Sequence, residues 1–342
     1  MSDFVLHKGQ KVHGRFARRY SSEVINVTFA PFQGSIVTLS DGQSGAGSCL
    51  GCGMAPCMEK HESELDLPNE MNSFPGDPNL DVCPTAAVRW DSAGEFTFID
   101  TDACIGCGLC VSRCPYGAIS LLDGSVASVE SSDPDGLVTC EPVQNEHSRP
   151  TRVGVISFLG VPAAMQLPGQ VLKLGDVKTN LFIRNLLHEV GLNARSRRKG
   201  DTNIRMDAFG YSRSGRPFVG EFEVGAGLLE SPRALLEDVA ILHSRYGYEV
   251  ASIDPVSVIL AFPSLRSEYY QVLRDIDKVL GLRCRTITIG ALLALLWNCK
   301  QVDGFIGDDF VVGEESIDLG PFLEGKIGSL IEPYPGALTP AK

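Results

Sequence analysis

The stretch from Cys104 to Pro115 reads CIGCGLCVSRCP and places four cysteines three, three and four positions apart. Three cysteines at a spacing of three can wrap one corner of a cube of iron and sulfur, and the glycines between them let backbone N–H groups approach the sulfur atoms. The last cysteine, Cys114, lies one residue further along than this spacing and stands before a proline. This stretch therefore predicts ligands for a metal–sulfur centre.

An earlier group of four cysteines follows the same plan less closely: Cys49, Cys52, Cys57 and Cys83. Four residues rather than two separate the second cysteine from the third, and the acidic, loop-like segment 58–82 intervenes before the last. Within that insert His61 and Asp66 are alternative ligands, although four cysteines already suffice. The ligand set of this group is therefore the less regular of the two.

Residues 36–122 as a whole resemble the two-cluster bacterial-type ferredoxins, including the segments PTAAV at 84–88 and PYGAI at 115–119. The resemblance implies a ferredoxin-like α+β domain with the pseudo-symmetric order βαββαβ and two [4Fe–4S] clusters. It implies that one cluster is held by Cys49, Cys52, Cys57 and Cys114. It implies that the other is held by Cys83, Cys104, Cys107 and Cys110.

Structural zinc is the main alternative use of such cysteines, but zinc sites pair two C-x2-C knuckles and do not repeat cysteine three times before C-P. Disulfides are disfavoured, because the start MSDFVLHKGQ lacks the apolar core of a secretory signal. Free thiols indicate a reducing compartment, so we expect a cytoplasmic protein. The longest apolar run, Ile289–Trp297, is too short to span a bilayer, and no membrane partner is expected.

Charge and composition divide the chain. Residues 1–150 hold 9 Lys and Arg against 20 Asp and Glu, a balance of −11, whereas residues 151–342 hold 21 against 22, a balance of −1. The acidic first half is poorly suited to gripping nucleic acid. We predict a lead-in (1–35), the ferredoxin domain with its insert (36–122), a linker rich in Ser, Asp, Gly and Pro (123–150), a second domain (151–302) and an acidic tail (303–342).

Apolar periodicity in the second domain changes between helix and strand. It predicts helices over 180–190, 232–246, 268–280 and 291–297, and strands over 203–209, 217–224, 257–262 and 282–289. Two neighbouring strands followed by crossover helices indicate an α/β fold, a mixed sheet flanked by helices.

Acidic residues gather on the predicted hairpin of this domain. Glu221 and Glu223 share one face of a strand, and Asp207 lies on the neighbouring strand. Three carboxylates at one sheet edge suit Mg2+, which can polarise a phosphodiester and activate water. Acids that alternate with apolar residues also simply face solvent on half-exposed strands, which is the alternative interpretation.

The element order and these acids resemble the PD-(D/E)xK nuclease superfamily, whose fold is restriction-endonuclease-like. The resemblance implies a catalytic set of Glu189, Asp207, Glu221 and Glu223. Within it, Asp207 and Glu221 would bind Mg2+ or Mn2+. Two positions depart from the pattern, because Glu223 stands where most members carry lysine and Met206 stands where many carry proline.

A basic segment precedes the hairpin: Arg195, Arg197, Arg198 and Lys199. Four cations within five residues suit contact with the phosphates of DNA, or equally a solvated turn that keeps the protein soluble.

Two functions from different classes follow. In the first, the chain is a metal-dependent nuclease whose clusters sense redox state, stabilise the fold or dock a partner, and Asp207→Ala abolishes cleavage. In the alternative, it is a ferredoxin-type electron carrier that meets a redox partner protein. Its second domain is then a non-catalytic docking or nucleic-acid-binding platform, and loss of Cys107 stops electron delivery.

Overall fold

The computed structural model describes residues 4–6, 27–29, 36–38, 55–68, 71–91, 96–100, 102–113, 119–122, 128–129, 156–157, 162–312, 317–328, 330 and 332–340. The chain packs as two units, and neither is continuous in sequence. The first comprises Met1–Lys60 and Asp81–Leu167, and the second comprises His61–Leu80 and Pro168–Lys342.

The first unit is built mainly from short strands. They are β1 (Phe4–Leu6), β2 (Val27–Phe29), β3 (Ile36–Thr38), β4 (Val88–Asp91), β5 (Phe96–Ile99), β6 (Ile119–Leu122), β7 (Ser128–Val129) and β8 (Ile156–Ser157). Helix α1 (Leu109–Ser112) follows β5, and the division between the units falls inside α2 (Pro162–Val171). β3 pairs antiparallel with β6, and β4 with β5. This order agrees with βαββαβ except for the first helix, which has no counterpart among the described residues between β3 and β4.

The second unit is built on a five-stranded sheet in the order β13-β12-β11-β10-β9. Its strands are β9 (Leu192–Ser196), β10 (Ala208–Ser212), β11 (Pro217–Glu223), β12 (Asp254–Ile259) and β13 (Arg285–Thr288). The pairs β9–β10 and β10–β11 are antiparallel, whereas β11–β12 and β12–β13 are parallel. The predicted mixed sheet of an α/β region is confirmed, while its assignment as restriction-endonuclease-like stays a prediction.

Five helices of this unit lie in the described residues: α3 (Asp176–Glu189), α4 (Ser231–Tyr246), α5 (Glu268–Leu280), α6 (Ile289–Trp297) and α7 (Gly320–Ile327). Helix α5 begins after Ser267, whose side chain accepts the Tyr269 N–H, and it ends at Gly281 in the left-handed region. Every residue of the apolar α6 is buried. None of the helices in the described residues is both long and apolar enough to cross a bilayer.

The structure differs from the sequence prediction around β9 and β10. The basic segment that begins at Arg195 starts inside β9, whose last two residues are Arg195 and Ser196. The strand predicted over 203–209 is shifted, because β10 begins at Ala208 and runs through Gly210 to Ser212. A Cβ on Gly210 would lie 2.1 Å from the Asn193 carbonyl oxygen, so this glycine serves the close approach of two strands.

The insert after Cys57 also departs from the prediction. The sequence assigned it to the ferredoxin domain, but His61–Leu80 packs with the second unit. It does so because it brings its own apolar anchors: Leu65, Met71 and Phe74 are buried. We call His61–Leu80 the docked insert.

The predicted acidic tail, 303–342, is likewise part of the second unit. Tyr334, Ala337 and Leu338 are buried. The Tyr334 hydroxyl donates to the Leu260 carbonyl at 2.7 Å, and the Phe262 N–H donates to the Gly336 carbonyl at 2.8 Å. The net charge of the segment concealed these few apolar residues, which decide its position.

Candidate functional site

Four cysteines of the first unit surround one cavity: Cys83, Cys104, Cys107 and Cys110. Two lie just before α1, one lies on α1, and one follows the docked insert. The rest of the lining is mainly apolar: Thr85, Ala87, Val88, Ile99, Ile105 and Leu109. This grouping is the one that the ferredoxin resemblance implies for the second cluster.

Backbone N–H groups point at two of the sulfur atoms. The Ala87 N–H donates to Cys83 Sγ at 3.2 Å, and the Gly106 N–H donates to Cys104 Sγ at 3.4 Å. Gly106 and Gly108 have φ angles of 70° and 85°, which residues with a Cβ rarely adopt. The glycines thus permit the turn that brings a donor to sulfur, and such donors favour the thiolate form.

Burial makes uncompensated thiolates unfavourable in this cavity. It raises the pKa of the Cys107 thiol, and the neighbouring Cys83 and Cys104 raise it further. Burial and the other cysteines also raise the pKa of Cys110 well above its ordinary value. Four thiolates can coexist here only beside positive charge, which the irons of a [4Fe–4S] cube supply. The donor set, the apolar lining and the N–H···S bonds therefore fit such a cluster.

The other predicted ligand set lies only partly in the described residues. Cys57 is buried, and it is near enough to raise the pKa of Cys110. Arg113 Nε donates to the Pro56 carbonyl at 2.7 Å and so ties this segment to the end of α1. The remaining predicted ligands lie outside the described residues: Cys49, Cys52 and Cys114.

In the second unit, a row of polar side chains runs across the sheet. Glu221, Ser257 and Thr286 lie on β11, β12 and β13, and Arg197 and Asp207 continue the row just beyond the ends of β9 and β10. Asp207 stands just before β10. Its Oδ2 accepts the Phe222 N–H at 3.1 Å, and its own N–H donates to Glu221 Oε1 at 3.4 Å. Arg197 Nη2 lies 3.7 Å from Asp207 Oδ1. The predicted approach of Asp207 to Glu221 therefore occurs, but with an arginine beside it.

A third acid of this cluster, Asp238 on α4, was missed by the sequence reading. It is 1 % exposed, and its Oδ2 accepts no hydrogen bond within the described part of the chain. Its other contact is with Glu221, whose protonated carboxyl donates to it. Asp238 belongs to the buried stripe formed with Leu235, Val239 and Leu242. An acid within an apolar helical stripe is the signal that would have revealed it.

These three acids hold protons more strongly than isolated acids do. Burial, followed by the charge of Asp207, raises the pKa of Glu221 to about 10. Burial raises the pKa of Asp238 to about 7, although the hydrogen bond from Glu221 lowers it. Burial also raises the pKa of Asp207, against the lowering effects of the Phe222 N–H and Arg197.

The predicted Mg2+ or Mn2+ site stays a prediction. No group of three or more His, Cys, Asp or Glu side chains in the described residues, thiols included, is arranged to hold a metal ion. At the carboxylates, Asp207 is already bonded to the Phe222 N–H and lies beside Arg197. The cysteines instead surround a cavity, as a cube whose irons each take one thiolate requires.

The other two predicted catalytic acids lie at the ends of β11 and α3. Glu223 Oε1 accepts the Gly225 N–H at 2.8 Å and so caps the turn after β11. Glu189 is buried at the last residue of α3. A catalytic role for either acid stays a prediction.

The basic segment is divided between structural and exposed cations. Arg195 Nη1 donates to the Leu65 carbonyl at 3.3 Å, and Arg197 Nη1 donates to the Asp201 carbonyl at 2.7 Å. Both side chains are partly buried, whereas Arg198 and Lys199 are exposed. The contact of these four cations with DNA stays a prediction, and two of the four already bond to other parts of the chain.

Comparison with known proteins supports the cysteine site. The family described as 4Fe-4S binding domain matches residues 97–120. The chain therefore contains a ferredoxin-type iron–sulfur domain, and it is this class of domain that holds the cysteine-lined cavity.

Several iron–sulfur proteins are similar to part of the chain. An uncharacterized ferredoxin of Methanocaldococcus jannaschii is 33 % identical over 87 residues, which cover 22 % of this chain and 51 % of that protein. The iron–sulfur subunit of the arsenate respiratory reductase of Shewanella is 43 % identical over 54 residues, 16 % of this chain and 23 % of the subunit. A probable ferredoxin of Methanosarcina thermophila is 49 % identical over 35 residues, which cover 10 % of this chain and 60 % of that ferredoxin. The chain thus covers less than two thirds of each relative, and no solved structure matches it.

Proposed function

We propose that this chain is a ferredoxin-type electron carrier with two [4Fe–4S] clusters and that its second unit is a non-catalytic docking platform. The observation that carries the proposal is the cavity lined by Cys83, Cys104, Cys107 and Cys110. The last three of these cysteines lie in residues 97–120, which match the 4Fe-4S binding domain. Bound clusters supply one-electron transfer. The chain's own part is to hold the sulfur ligands, to exclude water with Val88, Ile99 and Leu109, and to donate backbone N–H groups to sulfur.

We propose a redox protein as the partner, because one relative is named as the iron–sulfur subunit of a respiratory reductase. A reducing compartment suits thiolate ligands, and we propose the cytoplasm as the location. The acidic balance of residues 1–150 favours a partner with a basic contact surface.

The test is an iron count joined to a redox assay on anaerobically purified protein. Two clusters give about eight irons per chain and a bleachable absorbance on reduction with dithionite. Cys107→Ala should retain about four irons and slow re-oxidation by cytochrome c. Cys284→Ala removes a buried thiol outside the cavity. This variant should keep the full iron content and the normal rate of re-oxidation by cytochrome c. Full iron content in Cys107→Ala would contradict the proposal.

Metal-dependent cleavage of DNA is the competing function, and the contact between Asp207 and Glu221 is the observation that favours it. The carboxylates do not fit a metal site, so we derive no hydrolytic step from them. Supercoiled plasmid with Mg2+ or Mn2+ should remain intact under the purified protein. Nicking that disappears in Asp207→Ala would replace the electron-carrier proposal with the nuclease.

A further inference from the structure

The docked insert leaves and re-enters the first unit through one narrow neck. Residues 58–59 and 81–82 pair there, with an antiparallel bridge and a backbone hydrogen bond of 2.8 Å. Cys57 stands immediately before the neck, and Cys83 immediately after it. The ferredoxin resemblance assigns these two cysteines to different clusters. Both ends of the insert are therefore attached next to predicted cluster ligands.

The body of the docked insert pairs with the C-terminal end of β9, the edge strand of the sheet in the second unit, and with the two residues that follow β9. The contacts are a bridge between Gly76 and Arg197, a hydrogen bond of 2.7 Å from the Asp77 N–H to the Ser196 carbonyl, and one of 2.8 Å from the Arg198 N–H to the Pro75 carbonyl. An uncovered edge would present unpaired backbone groups to solvent or to other chains.

Side chains fasten the insert as well. Arg184 is fully buried on α3, and its Nη1 donates to the Asn79 carbonyl at 2.7 Å. The Phe74 ring lies 6.3 Å from the Phe209 ring of β10, centroid to centroid. Gly76 is pressed against an arginine, because a Cβ there would lie 1.9 Å from Arg195 Nε. The insert is thus a tightly fitted part of the second unit.

We propose that the docked insert couples the clusters of the first unit to the sheet edge of the second, so that loss of the clusters loosens the insert from β9. The inference rests on the proposed function, since it requires that clusters hold Cys57 and Cys83.

The coupling follows from chain entropy. When both flanking cysteines are fixed by clusters, the ends of the insert are held together and its docking orders only a short closed loop. When the cysteines are released, the neck can open, and the same docking must order a longer and freer segment. A few edge hydrogen bonds and one aromatic contact then compete with a larger loss of conformational freedom.

Hydrogen exchange on the full chain tests the inference, with the holoprotein compared with protein whose iron has been removed by chelator. The decisive amides are those of Asp77 and Arg198, which make the edge hydrogen bonds. We expect their protection to fall at least about tenfold on iron removal, as in a local opening. Two other amides of the second unit are the controls: the Thr286 N–H donates to the Phe310 carbonyl, and the Phe262 N–H donates to the Gly336 carbonyl. Their protection from exchange should not change on iron removal.

Two variants make the test specific. Phe74→Ala removes the aromatic anchor, so the edge amides should exchange rapidly with or without iron. Phe305→Ala removes a phenylalanine of similar burial, 6 % exposed against 5 %, that stacks on Phe218 and Phe310. It should respond to iron removal as the unaltered chain does. Ser73→Ala, which loses only a 3.2 Å hydrogen bond to the Tyr246 hydroxyl, should weaken edge protection mildly and serves if Phe74→Ala does not fold.

The outcomes separate the two proposals. Unchanged protection of the edge amides after verified iron loss would overturn the coupling and leave the electron-carrier function standing. An equal fall at Thr286 and Phe262 would also overturn it, since that would be general destabilisation. A chain that binds no iron under anaerobic purification would overturn the proposed function and the coupling together.

Discussion

The cysteine cavity of the first unit and the carboxylate cluster of the second are both buried groups of acids, yet their neighbours differ, and known iron–sulfur proteins match only the first. Around the cavity the neighbours are apolar side chains and N–H groups that leave the sulfur atoms facing inward. Around Asp207 the neighbours are Arg197 and the backbone of β11, and they occupy the oxygens that a cation would need. The neighbours, more than the number of acids, decide what a buried acidic group can bind.

The largest expected effect contrasts one ligand from each region. Cys110→Ala should lose about half of the iron, because a [4Fe–4S] cube takes four protein ligands. Asp238→Ala should keep all of the iron and leave the second unit folded, because it removes an unpaired buried oxygen. Iron analysis and circular dichroism measure both changes. Equal iron loss in the two variants would show that the regions are not independent.

The next effect is a pH dependence of the free energy of unfolding that comes from the carboxylate cluster. Glu221 has its pKa raised to about 10 in the fold, so the folded chain keeps a proton that the unfolded chain releases above its ordinary pKa of 4.5. Its contribution is therefore full at acidic pH, declines as the pH rises from about 4.5, and is lost as the pH passes through about 10. The decline is at most about 1.4 kcal/mol per pH unit.

Glu221→Gln should remove the part of this slope that Glu221 contributes and leave the smaller part from Asp207 and Asp238. Urea unfolding at several pH values would measure it. Glu237→Gln is the matched control, since Glu237 lies on the exposed side of α4, and it should retain the slope. A steep slope in Glu221→Gln would assign it to another group.

The smallest effect tests the glycine turn at the cysteines. Gly106→Ala places a Cβ at a φ of 70° and should lower the stability of the iron-loaded first unit by about 1 kcal/mol. Gly169→Ala, in helix α2 with no atom within 4 Å of the added Cβ, should instead stabilise by about 0.5 kcal/mol. Thermal unfolding of the holoproteins would show both signs. A stabilising Gly106→Ala would contradict the role given to the left-handed turn.

The parts of the molecule that could be predicted from sequence are those in which the deciding residues are neighbours in the chain. The spacing of the cysteines from Cys104 to Cys110 is enough to predict a metal–sulfur centre. Helix α5 can be predicted because Ser267 precedes it and Gly281 follows it. The mixed sheet followed from helix and strand periods for the same reason. The resemblance supplied the more distant Cys83, which its own surroundings in the sequence would not have paired with the other three.

What could not be predicted depends on partners far apart in the chain. The docked insert reads as a loop, because its strand-like contact is made with β9, more than a hundred residues later. Asp238 reads as an ordinary helix residue until β11 places Glu221 beside it. Arg195 reads as a surface cation until the insert covers it. In each case long-range packing overrides a local pattern.

The course of synthesis gives the docked insert a further consequence. The ribosome makes residues 61–80 well before β9. The insert therefore has no strand to pair with while the rest of the first unit is synthesised. The second unit therefore cannot complete its sheet edge from its own later residues. Cleavage of the chain in the segment 123–150 would place the insert on one fragment and β9 on the other. Each fragment would then expose a surface that is buried only when the two fragments bind each other.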